Sequence, residues 1–332
     1  MKPRVSVLMA VYNAALYLQE SIESLLGQTF TDFELIAIDD ASTDNSLEIL
    51  RQYAQKDARI KVISLPKNGG QGRARNEGLK IAQGEYVCFV DSDDRLSHDA
   101  LAEVVATFDA DAQIGCVLFR LAYTDSLGKL TGYYPMDKDY KATGEKAFVD
   151  SLTWKIHGVY AVRADIHHRY PYDTTSHAYS DDNTTRLHYL ASKKVVTCAG
   201  IYYYRQHSQS VTHKVSIRRF DYLLANDSMK RQLLELGAAP SLVDLYENER
   251  WKNLVDVYLF YYLHRHELTS EERKQGLETI HRTWQSVETY RLRHSLRRKF
   301  GYMPLRPFWP LFRLQEEAYF FLRGIFGKNV EA

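Results

Sequence analysis

The stretch YVCFVDSDD, residues 86–94, sets an unbroken apolar run against three carboxylates, Asp91, Asp93 and Asp94. A short apolar run bounded by turn residues reads as a strand buried on both faces, which is the habit of parallel sheets covered by helices. Three earlier segments repeat the pattern: RVSVLMAV (4–11), FELIAID (33–39) and IKVISL (60–65). Helical spacings fill the gaps. Leu18, Ile22, Leu25 and Leu26 follow Asn13 as a candidate N-cap; Leu47, Leu50 and Tyr53 follow Ser42 or Asp44; Leu101, Val104, Val105 and Phe108 follow Ser97. Alternating strands and helices predict an α/β fold, Rossmann-like, with a mostly parallel sheet covered by helices. In such sheets ligands bind beyond the carboxyl ends of the strands. Tyr12 and Asn13, the pair Asp39 and Asp40, and the run Asp91 to Asp94 all fall there.

Composition limits the function. At 332 residues, 45% hydrophobic and 26% charged, the chain has the make-up of a folded protein with a sizeable core. A net charge of +1 gives no electrostatic footprint for nucleic acid. The N-terminus lacks a signal-peptide pattern and no apolar run approaches membrane-spanning length, so a cytoplasmic location is expected. Cys88, Cys116 and Cys198 are widely spaced in apolar runs and read as buried thiols. From about 114 strand-like pieces return, and from 216 to 297 the pattern is helical. From Arg291 to the end, nine Lys or Arg stand against three Glu, so this tail is +6 and the remainder −5.

The clusters carry chemistry of unequal sharpness. Asp91 and Asp93 form a hard-oxygen pair suited to Mg²⁺ or Mn²⁺; a solvated turn with Asp94 capping the next helix is the plainer alternative. One of Asp39 and Asp40 can accept from a nucleobase imide or a ribose hydroxyl. NGGQGRARNEGL (68–79) offers glycine-rich backbone with Arg73 and Arg75 at a helix start, which suits an anionic diphosphate. YSDDNTTRL (179–187) places Asp181 and Asp182 where Ser180 could begin a helix, and YYYRQHSQSVTH (202–213) adds Arg205, His207 and His213 without a zinc-type spacing.

In order, VSVLMAVYNAALYLQESIESLLGQTFTDFELIAIDDASTDNS (5–46), NGGQGRARNEGL (68–79), YVCFVDSDD (86–94), SDD (180–182) and YYYRQHSQSVT (202–212) resemble the family 2 glycosyltransferases. These are inverting enzymes of GT-A fold that use nucleotide-diphosphate sugars. The resemblance implies that residues 1–215 form the transferase domain, with a nucleotide-sugar half (1–110) and an acceptor half (111–215). It implies that Ala10 and Tyr12 line the base pocket and that Asp40, with Asp39 beside it, recognises uracil or a similar base. Arg75 would contact the nucleotide, Asp91 the ribose or metal, and Asp93 a Mn²⁺ or Mg²⁺ bridging the diphosphate. Asp182 takes the general-base position, with Asp181 where the family has Glu; Arg205 and Ser210 lie in the loop that closes over the donor. The implied partners are a UDP-sugar and a glycan or lipid-linked glycan acceptor, in cell-surface polysaccharide or lipopolysaccharide synthesis.

Beyond 216 the resemblance gives no guidance. A helical extension (216–297) is expected, then a basic aromatic tail (298–332) that either lies on the inner membrane surface through 298–326 or packs on protein. ENERW (247–251) imitates the Q-x-x-R-W signature of processive synthases, but Glu247 replaces its Gln and Arg250-Trp251 reads as helix packing. Two other classes compete: a nucleotidyltransferase, which would want a glycine-rich basic loop where AVYNAA stands, and an inactive glycan- or nucleotide-binding module.

Overall fold

Alternation along one strand shows why the sheet is buried on both faces. In β1 (Val5–Val11), Val5, Val7, Met9 and Val11 enter one apolar cluster, while Leu8 enters the other. The structure, a computed structural model, describes residues 2–176, 179–207 and 215–329. The chain divides into two compact units, Met1–Val211 and Thr212–Ala332.

The first unit continues with β2 (Phe33–Asp39), β3 (Ile60–Ser64), β4 (Tyr86–Phe89), β5 (Arg95–Leu96), β6 (Ile114–Thr124), β7 (Leu130–Tyr133), β8 (Lys141–Thr143), β9 (Tyr160–Arg163) and β10 (Lys194–Arg205). Its helices are α1 (Ala15–Leu26), α2 (Ser46–Lys56), α3 (Gln71–Leu79), α4 (Ala100–Ala110), α5 (Gly144–Leu152), α6 (Ala164–Arg169) and α7 (Ser180–Ala191). The sheet runs β3-β2-β1-β4-β9-β6-β10-β5, with β7 on β6 and β8 on β10. The four strands read first from the sequence form the parallel half. Beyond β4 the sheet is mixed: β9 runs antiparallel to both β4 and β6, whereas β6 and β10 are parallel.

Two expected caps are replaced by longer reaches. Asn13 adopts a left-handed φ of 51° and accepts from Thr43 N at 2.7 Å instead of capping α1. Asp44 serves two helix starts, accepting from Ala15 N at 3.1 Å and Ser46 N at 2.9 Å. Ser97 gives its hydroxyl to Asp99 and is not the N-cap of α4. Cys88, Cys116 and Cys198 are buried free thiols, each pushed up to about 12 by burial.

The second unit consists of α8 (Asp221–Glu235), α9 (Pro240–His264), α10 (Ser270–Ser286), α11 (His294–Arg297) and α12 (Trp309–Ile325). Pro240 opens α9 at the position where a missing N–H costs nothing. Trp251, Leu254 and Tyr258 of α9 pack with Trp284 of α10 and with Phe312 and Phe320 of α12. Trp251 is thus core, and its indole N–H donates to Tyr302 O at 2.8 Å. The aromatic tail packs with the helical region, because Phe312 and Phe320 of α12 belong to the same core. Among the described residues no helix is long and apolar enough to cross a membrane.

Candidate active site

Strand register gathers the polar chain exits on one sheet edge. Val11 lies opposite Asp39, Asp39 opposite Ser64, and Val90 N donates to Leu8 O at 3.1 Å, so β1, β2 and β4 end together. Ala10 and the exposed Tyr12 stand at the end of β1. Behind them Asp39 and Asp40 are both buried, but their partners differ. Asp40 accepts Gly69 N at 2.9 Å and Gly70 N at 2.8 Å, so both oxygens are spent on shaping the glycine loop. Gly70, at φ 86°, permits the turn that starts α3. Asp39 accepts only Ser42 N, at 3.3 Å, and its other oxygen has no protein partner among the described residues. Asp39 thus keeps hydrogen-bonding capacity that Asp40 has spent on the loop.

From that loop α3 carries Gln71 and Arg75 to Asp91. Gln71 donates to Asp91 Oδ1 at 2.7 Å, and Arg75 pairs with the same oxygen. The Arg75 guanidinium is fully buried, 4.0 Å from the Phe89 ring centroid and 5.4 Å from that of Tyr172, while its Nε and Nη1 have no partner. Burial opposes its charge, but Asp91, Tyr172 and Asp181 outweigh that and hold it protonated. Burial and the neighbouring Asp93 raise Asp91, against the pull of Arg75.

Asp93 lies 2.8 Å from His207 Nε2, whose ring sits tilted by 35° against Tyr17 with centroids 5.2 Å apart. Among the described residues each of Asp91 and Asp93 keeps one carboxylate oxygen without a protein partner, a donor set that fits a hard divalent cation completed by substrate oxygens. No third His, Cys, Asp or Glu completes a metal cage among the described residues. Asp94 is turned away from this pair. It accepts Arg205 N at 2.7 Å and the Tyr202 hydroxyl at 2.8 Å, and Tyr202 in turn accepts Asp91 N at 3.0 Å. Burial, then Asp91 and Asp93, hold Asp94 well above the usual carboxylate range.

Arg205 is held by three segments of the chain. Its Nε donates to Asp93 O at 2.9 Å, Nη1 to Ser126 O at 2.9 Å and Nη2 to Glu20 at 2.5 Å, with Tyr17 beneath at 4.7 Å. In this arrangement Arg205 ties the acidic loop to α1 and to Ser126. Ser210 and His213 lie outside the described residues.

At the start of α7, Asp181 and Asp182 face different neighbours. Burial first, then Asp182, push Asp181 up to about 6, with Asp91 adding to the rise and Arg75 opposing it. Asp182 is raised by burial against the pull of Arg186, whose Nη2 lies 3.7 Å from its Oδ2. A carboxylate lifted in this way is a better proton acceptor near neutrality. Gln71, Tyr172 and Arg186 were missed from sequence, since only the fold brings them to the acids.

The family model described as glycosyl transferase family 2 matches residues 6–169. These residues form a family 2 glycosyl transferase domain. Its match ends before Asp181, so the last acids and Arg205 rest on the geometry alone. An uncharacterised glycosyltransferase of Haemophilus influenzae is 48% identical over 99 residues, 30% of this chain and 40% of that protein. TuaG of Bacillus subtilis, named as a provisional teichuronic acid biosynthesis glycosyltransferase, is 37% identical over 164 residues, 49% of this chain and 63% of its own length. The chain therefore spans less than two thirds of either relative. A solved structure of S. aureus TarS residues 1–349, in complex with UDP-GlcNAc, superposes with a TM-score of 0.74 at 22% identity, covering 96% of this chain and 91% of that one. That likeness establishes the GT-A fold expected of the resemblance.

Proposed function

We propose that this chain is an inverting glycosyltransferase that moves a hexosyl unit from a UDP-sugar to a hydroxyl of a glycan acceptor in cell-surface polysaccharide synthesis. The observation that carries this reading is the meeting, at one sheet edge, of a base-reading carboxylate (Asp39), the Arg75–Asp91 pair, Asp93, and the raised pair Asp181 and Asp182. Asp39 accepts the imide N–H of the base. Ala10 and Tyr12 flank that base, and the unspent guanidinium N–H groups of Arg75 face the nucleotide. Asp91 and Asp93, with His207 beside Asp93, would hold Mn²⁺ or Mg²⁺. Such an ion, when bound, neutralises charge on the departing diphosphate.

The acceptor oxygen bonds to the anomeric carbon as the bond to the diphosphate breaks, and UDP leaves with the electron pair. The acceptor proton passes to a carboxylate at the head of α7, assigned to Asp182 with Asp181 beside it. No covalent sugar–protein intermediate is needed. UDP release from a panel of UDP-sugars with Mn²⁺ tests the reading: retention of full release in Asp93→Ala removes the metal role, and absence of binding to every UDP-sugar removes the transferase.

A peripheral contact with an anionic bilayer belongs to the same proposal. The core side of α12 is spent on Phe312 and Phe320, while Leu311, Leu314, Phe321, Leu322 and Ile325 stay exposed along its outer side. Arg293, Arg297, Arg298 and Lys299, just upstream, are exposed cations that complement anionic headgroups. Leu314→Glu with Phe321→Glu leaves the core side intact and should abolish flotation with anionic vesicles; flotation equal to wild type overturns the contact.

A further inference from the structure

Trp154 is a large aromatic side chain, 53% exposed, held in the left-handed region at φ 55°. Both conditions are unfavourable: a bulky residue at positive φ is strained, and an exposed indole gains little from packing. The surroundings enforce them. Tyr134 donates its hydroxyl to Trp154 O, Trp154 N reaches Ser151 O at 3.3 Å, and Lys155 N reaches Asp150 O at 3.0 Å. The following residues are fixed to α7, the helix of the raised acids. Tyr189 donates to His157 O at 2.6 Å, and a Cβ on Gly158 would stand 3.3 Å from Thr185 Oγ1. One Arg186 side chain joins the indole to the acid, with its guanidinium 5.9 Å from the Trp154 ring centroid and 3.7 Å from Asp182 Oδ2.

We propose that Trp154 is the acceptor platform of this site: one face of the indole rests against Arg186, and the other takes the C–H face of a pyranose whose hydroxyl is thereby turned towards Asp182. The proposal rests on the transferase reading above and adds the residue that selects and orients the acceptor. Its physical basis is the apolar face of a sugar ring, which matches a flat aromatic surface, while the hydroxyls around the rim remain for polar groups such as Arg186. The hydrogen bonds at Trp154 O and N fix the backbone from which the ring projects, and Arg186 lies over one face of it, so less orientation remains to be lost when the sugar arrives.

Fluorine NMR of the full chain labelled with 5-fluorotryptophan tests this without disturbing the fold. Four Trp resonances are expected, from Trp154, Trp251, Trp284 and Trp309, and Trp154→Phe assigns the first. With saturating UDP, the probes are methyl β-D-glucopyranoside, methyl β-D-galactopyranoside and methyl N-acetyl-β-D-glucosaminide. At least one should shift the Trp154 resonance while the other three stay still. Its affinity should fall at least fivefold in Trp154→Ala and less than threefold in Trp154→Phe, with UDP affinity within twofold throughout. A Trp154 signal indifferent to all three glycosides overturns the platform, as does equal glycoside affinity, or a parallel loss of UDP affinity, in Trp154→Ala. If the wild-type chain binds no UDP, the transferase reading falls and takes the platform with it; UDP binding with a silent Trp154 sinks the platform alone.

Discussion

Each unit buries one arginine completely, and the two are served in opposite ways. Arg250 in the helical unit donates to Glu247 at 2.7 Å and Ser286 at 2.8 Å and pairs with Asp227; Glu247 also takes Lys230 at 2.9 Å and Glu288 N at 2.6 Å. That network sets two cations, Arg250 and Lys230, against three carboxylates, Asp227, Glu247 and Glu288, and leaves one buried nitrogen, Arg250 Nε, unspent. Arg75 in the sheet unit has one carboxylate partner, two unspent nitrogens and a cluster of acids lifted by burial and mutual repulsion. A closed buried network defines a packing arrangement, whereas an open one stores interactions for a molecule that has yet to arrive.

The sharpest way to break that contrast is to remove charge from the open network. Asp182→Asn and Asp181→Asn should separate: the true base loses on the order of 10³-fold in kcat, as expected for general-base removal, with melting temperature unchanged or raised. Loss of less than tenfold in both, measured by UDP release, would remove the base from α7. Next, Arg250→Met takes a partner from both the buried Glu247 and Asp227 and should cost the helical unit about 3 kcal/mol in urea unfolding, with UDP affinity unaltered. Arg75→Met should do the reverse, with UDP affinity falling on the order of tenfold and stability changing less.

The pH dependence sharpens the same point. Asp181 titrates at about 6 in the fold against 3.8 for the ordinary carboxylate. Between those values the folded chain keeps a proton that the unfolded chain has released. This group's stabilising contribution is therefore complete below 3.8 and lost as pH rises through about 6. Transfer runs the other way: where Asp181 takes the acceptor proton it must be ionised, so the rate should drop about tenfold per unit below pH about 6. A pH–rate profile flat from 7 to 5 would contradict this. The smallest effect belongs to the helical unit, where Thr269 and Glu272 cap α10 reciprocally. Thr269→Ala should cost about 1 kcal/mol in urea unfolding and leave transfer untouched.

Legibility followed the range of the interactions. β1 to β4 could be read because strands buried on both faces leave continuous apolar runs, and their shared edge follows from parallel connection. β5 and β9, two and four residues long, owe their pairing to distant partners and leave no periodic trace. The acids of the site were visible as clusters, but their division of labour was not. Asp40 and Asp39 are neighbours with the same chemistry, and only the folded glycine loop decides which is spent. The partners of Arg205 could not be read either, because they come from three separate segments: Tyr17 and Glu20 on α1, Asp93, and Ser126.

Asp94 has a consequence for genetics. An alanine scan through Asp91, Asp93 and Asp94 would score three essential acids in a row and suggest one three-ligand site. The third would fail for a different reason: without its carboxylate, Tyr202 and the Arg205 amide lose the acceptor that ties the end of β10 to the acidic loop. Only isosteric replacement separates the two causes, because Asn at 94 still offers an oxygen to one of those donors, while Asn at 93 surrenders the charge itself.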